Sequence, residues 1–219
     1  MLPRKPAASG TVVDMTMSSC HEKLPPMKPH VVLLAALSAT SLLALAQPTV
    51  PLDPPWMLSS GQKSRFEAGQ EENGVRRGSL AKYVRAKSTA TTGDWATLMQ
   101  VFSAAEYRGK RLRFQAQVRT ENVTGWTGLW MRVDCASKYS CAFYNSQDKP
   151  MRGTNGWTPR SVTLDVPADA KSISFGVITG SSGTTWIDEL KMNAVGTEVA
   201  VDSMPSREDE IEMRTKPSL

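Results

Sequence analysis

The sequence predicts an all-β protein, an antiparallel β-sandwich built as a jelly roll of eight to nine strands. Three observations carry this reading. Apolar and polar residues alternate in short runs, the period-2 signature of strands with one buried face. Turn-forming Gly, Pro, Asn and Asp punctuate those runs at hairpin-length intervals. Helical periodicity is nearly absent, and residues 104–108 supply one turn at most.

The elements follow in order. Residues 65–68, 80–86 and 95–103 give three strands, broken at Gly74 to Gly78 and at Thr92-Gly93. After Arg108-Gly109, Leu112, Phe114, Ala116 and Val118 take one face of a strand, and Arg113, Gln115, Gln117 and Arg119 the other. In residues 126–134, Thr127, Leu129, Met131 and Val133 form an apolar face; Trp126, Gly128, Trp130, Arg132 and Asp134 point the opposite way. Residues 141–145 give a short strand within a long loop-like segment, 136–159. Val162, Leu164 and Val166 mark the next strand, and Ile173, Phe175 and Val177 another, with Pro167 to Asp169 between them. Residues 184–193 close the series after Gly180 to Gly183.

The chain divides into four parts. Residues 1–46 read as a leader with a signal peptide: the apolar run 31–46 follows Lys28 and His30 and ends in Ala44-Leu45-Ala46, which suits a signal peptidase. That run is shorter than the ~20 apolar residues a membrane helix needs. Met27-Lys28-Pro29-His30 supplies a short basic segment directly before it, which places the translation start at Met27; a long basic segment from Met1 is the alternative. Residues 47–60, with prolines at 48, 51, 54 and 55, read as an extended spacer. Residues 61–196 form the jelly-roll domain, and the polar 197–219 a disordered tail. The expected location is the periplasm or the medium.

Composition excludes several functions. His21 and His30 both fall in the leader, and beyond it only Cys135 and Cys141 remain of the three cysteines. The usual general base and the favoured zinc ligands are therefore missing. The whole chain carries a formal charge of +5, too weak and dispersed for nucleic acid. The expectation is a non-catalytic module. Glu67, Asp134, Asp165, Asp188 and Glu189 could supply a glycosidase pair, but no motif joins them.

The candidate ligand face is that of Trp126, Trp130, Arg132 and Asp134. Indole stacks on the C–H faces of sugar rings while arginine and aspartate bond hydroxyls, and Gly128 leaves space between the two rings. Tyr144 and Asn145, on the next strand, are assigned to the same face. The competing reading packs both indoles under the 136–159 segment. Cys135 and Cys141 flank a hairpin tip, where an exported protein forms a disulfide; two free thiols are the alternative.

Several motifs, in order, resemble the carbohydrate-binding jelly rolls of the CenC type, which are galactose-binding-like sandwiches. Phe66-Glu67-Ala68-Gly69, then Gly78-Ser79-Leu80-Ala81, is similar to their opening strands, and Tyr107-Arg108-Gly109-Lys110-Arg111-Leu112 to the turn before their long central strand. Trp157-Thr158, then Leu164-Asp165-Val166-Pro167-Ala168-Asp169-Ala170, resembles their later tryptophan and valine-proline strand, and Trp186-Ile187-Asp188-Glu189-Leu190 their closing strand. Residues 125–134 are similar to a bacterial subgroup found alone or attached to regulators and peptidases. The resemblance implies a sandwich that binds a glycan or another cell-envelope ligand. It also implies a structural calcium held by Glu67 and Asp188; the plain reading has these two bonding nearby backbone, with no cofactor. The alternative function is a structural or protein-interaction jelly roll with no small ligand.

Overall fold

The computed structural model of the protein describes residues 49–205. The expected leader, with its signal run, both histidines and the Met27 start, lies outside these residues, as do residues 206–219 of the expected tail. Ten strands follow in order: β1 Thr49–Val50, β2 Met57–Ser60, β3 Phe66–Glu71, β4 Ala81–Ala86, β5 Trp95–Ser103, β6 Arg111–Cys135, β7 Ala142–Tyr144, β8 Met151–Asp165, β9 Ala170–Gly180 and β10 Thr184–Val195. Lys63–Arg65 and Ala105–Tyr107 form single 3-10 turns. Among the described residues no helix is long and apolar enough to cross a membrane.

All pairings are antiparallel, in the order β1-β3-β4-β10-β6-β9-β5-β2, with β7 and β8 also on β6. β6 is the axis of the fold. Its first half pairs with β10 and β8, its second half with β9 and β7. The sheet thus folds over along one strand into two facing layers, an antiparallel β-sandwich. Leu112, Phe114 and Val118 from the first half of β6 meet Leu129, Met131 and Val133 from the second in a single core with Leu98, Val162, Leu164, Ile173, Val177 and Ile187. Alternation places the residues of β6, β8 and β9 among these correctly.

Two strands expected separately, 112–119 and 126–134, are one strand of 25 residues. The join carries register shifts from Val118 to Thr127, and Asn122 takes a left-handed φ of 54°. Such bulges bend a strand and interrupt its alternation without ending it. Where β6 passes between layers, the buried Thr127 hydroxyl bonds Thr179 Oγ1 at 2.9 Å and Thr185 Oγ1 at 2.8 Å, so the crossing hides no unpaired hydroxyl.

Three expectations on organisation are corrected. The spacer at 47–60 is largely part of the fold: β1 pairs with β3, β2 with β5, and the Trp56 ring meets Phe175 edge-on at 5.7 Å. Pro51, Pro54 and Pro55 fall between the edge strands β1 and β2, where a missing amide costs no ladder bond. The beginning of the expected tail docks as well, since Asp202 N–H donates to Thr163 O and Thr163 N–H to Asp202 Oδ2, both at 2.9 Å. Finally, much of the expected 136–159 loop belongs to β8, which tolerates Pro159 because it pairs with β6 along one side only.

Candidate functional site

The outer face of the β2-β5-β9-β6-β7 layer holds the residues singled out on residues 126–134. Gly128, Trp130 and Arg132 lie opposite Ile178, Gly176 and Ser174 of β9, and Thr97, Met99 and Val101 of β5 continue those rows. The next row is the most informative. Trp95 pairs with Gly180, and the Thr127–Thr179 pair brings Trp126 to the other side of the same glycine. Two indoles therefore flank a position with no side chain, on strands whose backbones lie roughly 9–10 Å apart. They wall a cavity of about 270 Å³ lined also by Asp94, Gly125, Ile178 and Ser181. A second cavity of about 370 Å³ shares Trp95 and Ile178 with it and continues past Thr97, Met99, Trp130, Arg132 and Phe143 to Ser59. The two form one trough across the layer. Trp95 is 45% exposed, and Met57, Val101 and Phe143 are large exposed apolar side chains of the same face.

Trp130 sits in this trough differently from the expectation of an open stacking platform. It is only 7% exposed. Its Nε1–H donates to Thr97 Oγ1 at 2.6 Å, and Thr97 Oγ1 donates on to Val177 O at 3.0 Å. Thr97 belongs to β5 and Trp130 to β6, so the indole lies across β9 between them, where Gly176 raises no side chain beneath it. Trp130 is the floor of the trough. The exposed indole is Trp95, which sequence reasoning placed in a strand but not in the site. Its signal was present: Trp95, Thr97, Met99 and Val101 fall on the face opposite Ala96 and Leu98.

Arg132 closes one end. Its Nε and Nη2 donate to Asp134 Oδ2 at 3.2 and 2.9 Å, and its guanidinium lies 4.4 Å from the Tyr139 ring centroid. Asp134 Oδ1 accepts Ser140 N–H at 2.9 Å, so this carboxylate fixes the arginine and the hairpin tip together. The expected disulfide spans the tip: Cys135 and Cys141 are bonded, with Cα atoms 5.8 Å apart. At the opposite end, Asp94 Oδ2 accepts Arg65 Nη1 and Thr91 N–H, both at 2.7 Å. The Arg65 bond, then the Thr91 amide, holds the Asp94 carboxyl below its ordinary range.

Tyr144 and Asn145 do not join this face. Phe143 pairs with Arg132 and faces outward; Tyr144 pairs with Met131 and is buried in the core. Its Oη donates to Asp148 Oδ1 at 2.6 Å, and burial, then that bond, pushes the phenol up. Asn145 turns back on its own loop, accepting Gln147 N–H at 3.1 Å. The space expected at Gly128 is filled: a Cβ there would stand 2.8 Å from Ser146 Cβ and 2.9 Å from Asn145 O. Glycine is required because the chain crosses over it.

Glu67 and Asp188 lie apart. Glu67 pairs across to Arg85, which pairs with Thr184, four positions along β10 from Asp188. Glu67 Oε1 accepts Arg85 Nη1 at 3.1 Å; Asp188 Oδ2 accepts Val75 N–H at 2.8 Å and its Oδ1 accepts Glu189 N–H at 2.7 Å. So placed, they do not form one oxygen cage, and the described residues hold no group of three or more His, Cys, Asp or Glu able to hold a metal.

No family model matches the chain. It is 35% identical over 144 residues to the uncharacterized HTH-type transcriptional regulator YbfP of Bacillus subtilis, a match covering 66% of this chain and 49% of that protein. The chain thus spans about half the length of the curated relative it matches. Similar solved structures include carbohydrate-binding modules and domains of glycan-active enzymes such as an arabinofuranosidase. The C-terminal family 22 module of Clostridium thermocellum Xyn10B has 18% identity and a TM-score of 0.47, covering 67% of this chain and 90% of that one. The CBM22-1 xylan-binding domain of Paenibacillus barcinonensis Xyn10C has 8% identity and a TM-score of 0.49, covering 70% and 99%. TmCBM61, solved with β-1,4-galactotriose, has 12% identity and a TM-score of 0.42, covering 65% and 90%.

Proposed function

We propose that the protein is an exported, non-catalytic binding module that takes a saccharide of a glycan or the cell envelope into the trough, with a sugar ring between Trp95 and Trp126. The observation that carries this reading is the row Trp95–Gly180–Trp126, two indoles facing a gap floored by glycine. Ligand sites pair aromatic walls with a few fixed polar groups, and here Arg132, Ser59 and Asp94 supply these. Asp94, the acid that lines the trough, is already committed to Arg65 and Thr91, and Asp134, which holds Arg132 at its end, to Arg132 and Ser140. The bonds from Arg65 and Thr91 favour the charged form of Asp94, which does not suit the protonated acid of a glycosidase pair and favours binding over hydrolysis. Export is supported by the apolar run at 31–46 and by the disulfide. The CenC-type resemblance agrees with the same reading.

A second reading has a protein partner cover this face without any small ligand. It is favoured by the exposed Met57, Val101 and Phe143, which continue the apolar surface beyond the trough. A glycan array, followed by affinity electrophoresis on soluble polysaccharides, separates the two. The saccharide reading expects at least one glycan to retard the wild type but not Trp95→Ala. Retention of no glycan, with capture of a protein that Trp95→Ala releases, supports the partner reading instead.

A further inference from the structure

A third cavity, with Gly128 and Ser146 in its wall, lies outside the trough. It is about 210 Å³, with Leu129 and Tyr144 from one layer and Arg160 and Ser161 from the other among its walls. Arg160 is out of place by ordinary patterning. It pairs with Ala116 on the row that Phe114 and Val162 carry into the core, so alternation turns an arginine inward at the edge of the sandwich. Its Nε is buried with no hydrogen-bond partner, one of two such side-chain atoms among the described residues. The other is Nε of Arg113, whose Nη2 reaches Ser161 Oγ at 3.5 Å. Arg160 enters no ion pair among the described residues.

Most other polar groups of the cavity are engaged. Tyr144 Oη donates to Asp148, and Ser146 Oγ to Leu129 O at 2.7 Å. Asp202 Oδ2 accepts Thr163 N–H, and its Oδ1 lies 3.7 Å from Lys149 Nζ. Ser161 Oγ accepts from Arg113 on the face of β8 opposite Arg160, and so stands apart from the inward guanidinium. Asp202 and Asp148 offset the Lys149 ammonium, which leaves the Arg160 guanidinium as the cation of the cavity without a counter-ion among the described residues. A buried donor without an acceptor is costly, and an oxygen anion satisfies it best. At about 210 Å³ the cavity has room for an oxyanion together with several waters, each of about 30 Å³ in the liquid.

We propose that this cavity is an oxyanion subsite, separate from the indole trough, that takes a carboxylate, sulfate or phosphate group on Arg160, with Lys149 assisting. The test follows arginine Nε–H resonances of the wild type during titration with sodium sulfate, phosphate or acetate, each against sodium chloride at equal ionic strength. A saturable shift of the Arg160 signal with an oxyanion, and none with chloride, is expected. Sulfate and phosphate against acetate distinguish a tetrahedral from a planar ligand group. Arg160→Lys keeps the charge but loses the planar fork, and should weaken binding about tenfold; Arg160→Gln should abolish it. Shifts that never saturate, or that follow ionic strength equally at all arginines, overturn the proposal. Should either variant fail to fold, the wild-type titration decides alone.

Discussion

Replacing Trp130 and Trp95 separately by alanine should give opposite outcomes, although both residues face the same side of the sandwich. Trp130 is 7% exposed, lies across β9 and ends on Thr97, so its removal empties a packed volume and breaks a 2.6 Å bond. Aromatic-to-alanine changes at buried sites cost about 3–5 kcal/mol. For a domain of this size each kcal/mol lowers Tm by about 2–4 °C, which places Trp130→Ala roughly 6–20 °C below the wild type. Thr97 still donates to Val177, so no further polar group is orphaned. Trp95 is 45% exposed, and the hydrogen bond it accepts from Ser60 Oγ uses its backbone carbonyl and survives substitution. Trp95→Ala should stay within about 1 kcal/mol of the wild type. Thermal melts followed by near-ultraviolet circular dichroism, paired with urea titrations, measure both. A wild-type Tm for Trp130→Ala, or a collapse of Trp95→Ala, would refute the division into floor and wall.

Other outcomes follow from the same geometry. Gly128→Ala should destabilise by about 1–3 kcal/mol in urea titrations, because its methyl meets the 145–146 backbone, whereas Gly180→Ala, with nothing closer than 3.7 Å, should be neutral or slightly stabilising. Reducing Cys135–Cys141, or replacing Cys141 by serine, should remove about 2–3 kcal/mol by the chain-entropy relation for so short a loop, read as a lower urea midpoint. Asp94 titrates below its ordinary value of 3.8 because Arg65 and Thr91 bond its charged form. The stability it contributes is thus present above the unfolded pKa and lost as pH falls through the lowered one; Asp94→Asn should flatten the wild type's loss of stability below about pH 4 in acid titrations.

Most of the sandwich was legible because burial here is one-sided. Leu112, Phe114 and Val118, or Leu129, Met131 and Val133, alternate cleanly with residues on the opposite face, and nothing in the fold overrides them. What alternation does not carry is pairing across a turn. The face of Tyr144 depends on how many residues the disulfide-closed tip uses, and the pair Arg132–Phe143 sets it one position from the expected phase. Continuity was hidden in the same way at Asn122, where a left-handed residue resembles a turn although the strand runs on. The prolines before Trp56 read as a spacer because a proline's cost is positional: an edge strand absorbs it and a central one does not. The exposed wall of the trough was missed for a simpler reason. Trp95 opens a strand at a distance of some thirty residues from Trp126, and only the shared neighbour Gly180 brings them into one row.

Calorimetric titration of the wild type, Trp95→Ala and Trp126→Ala with a saccharide retained on the array tests the Trp95–Gly180–Trp126 site most directly. Each substitution should weaken Kd by about 10- to 100-fold while leaving Tm near that of the wild type, as for an aromatic anchor that contacts ligand more than core. An unchanged Kd in both variants, or an array on which no saccharide is retained, would contradict it.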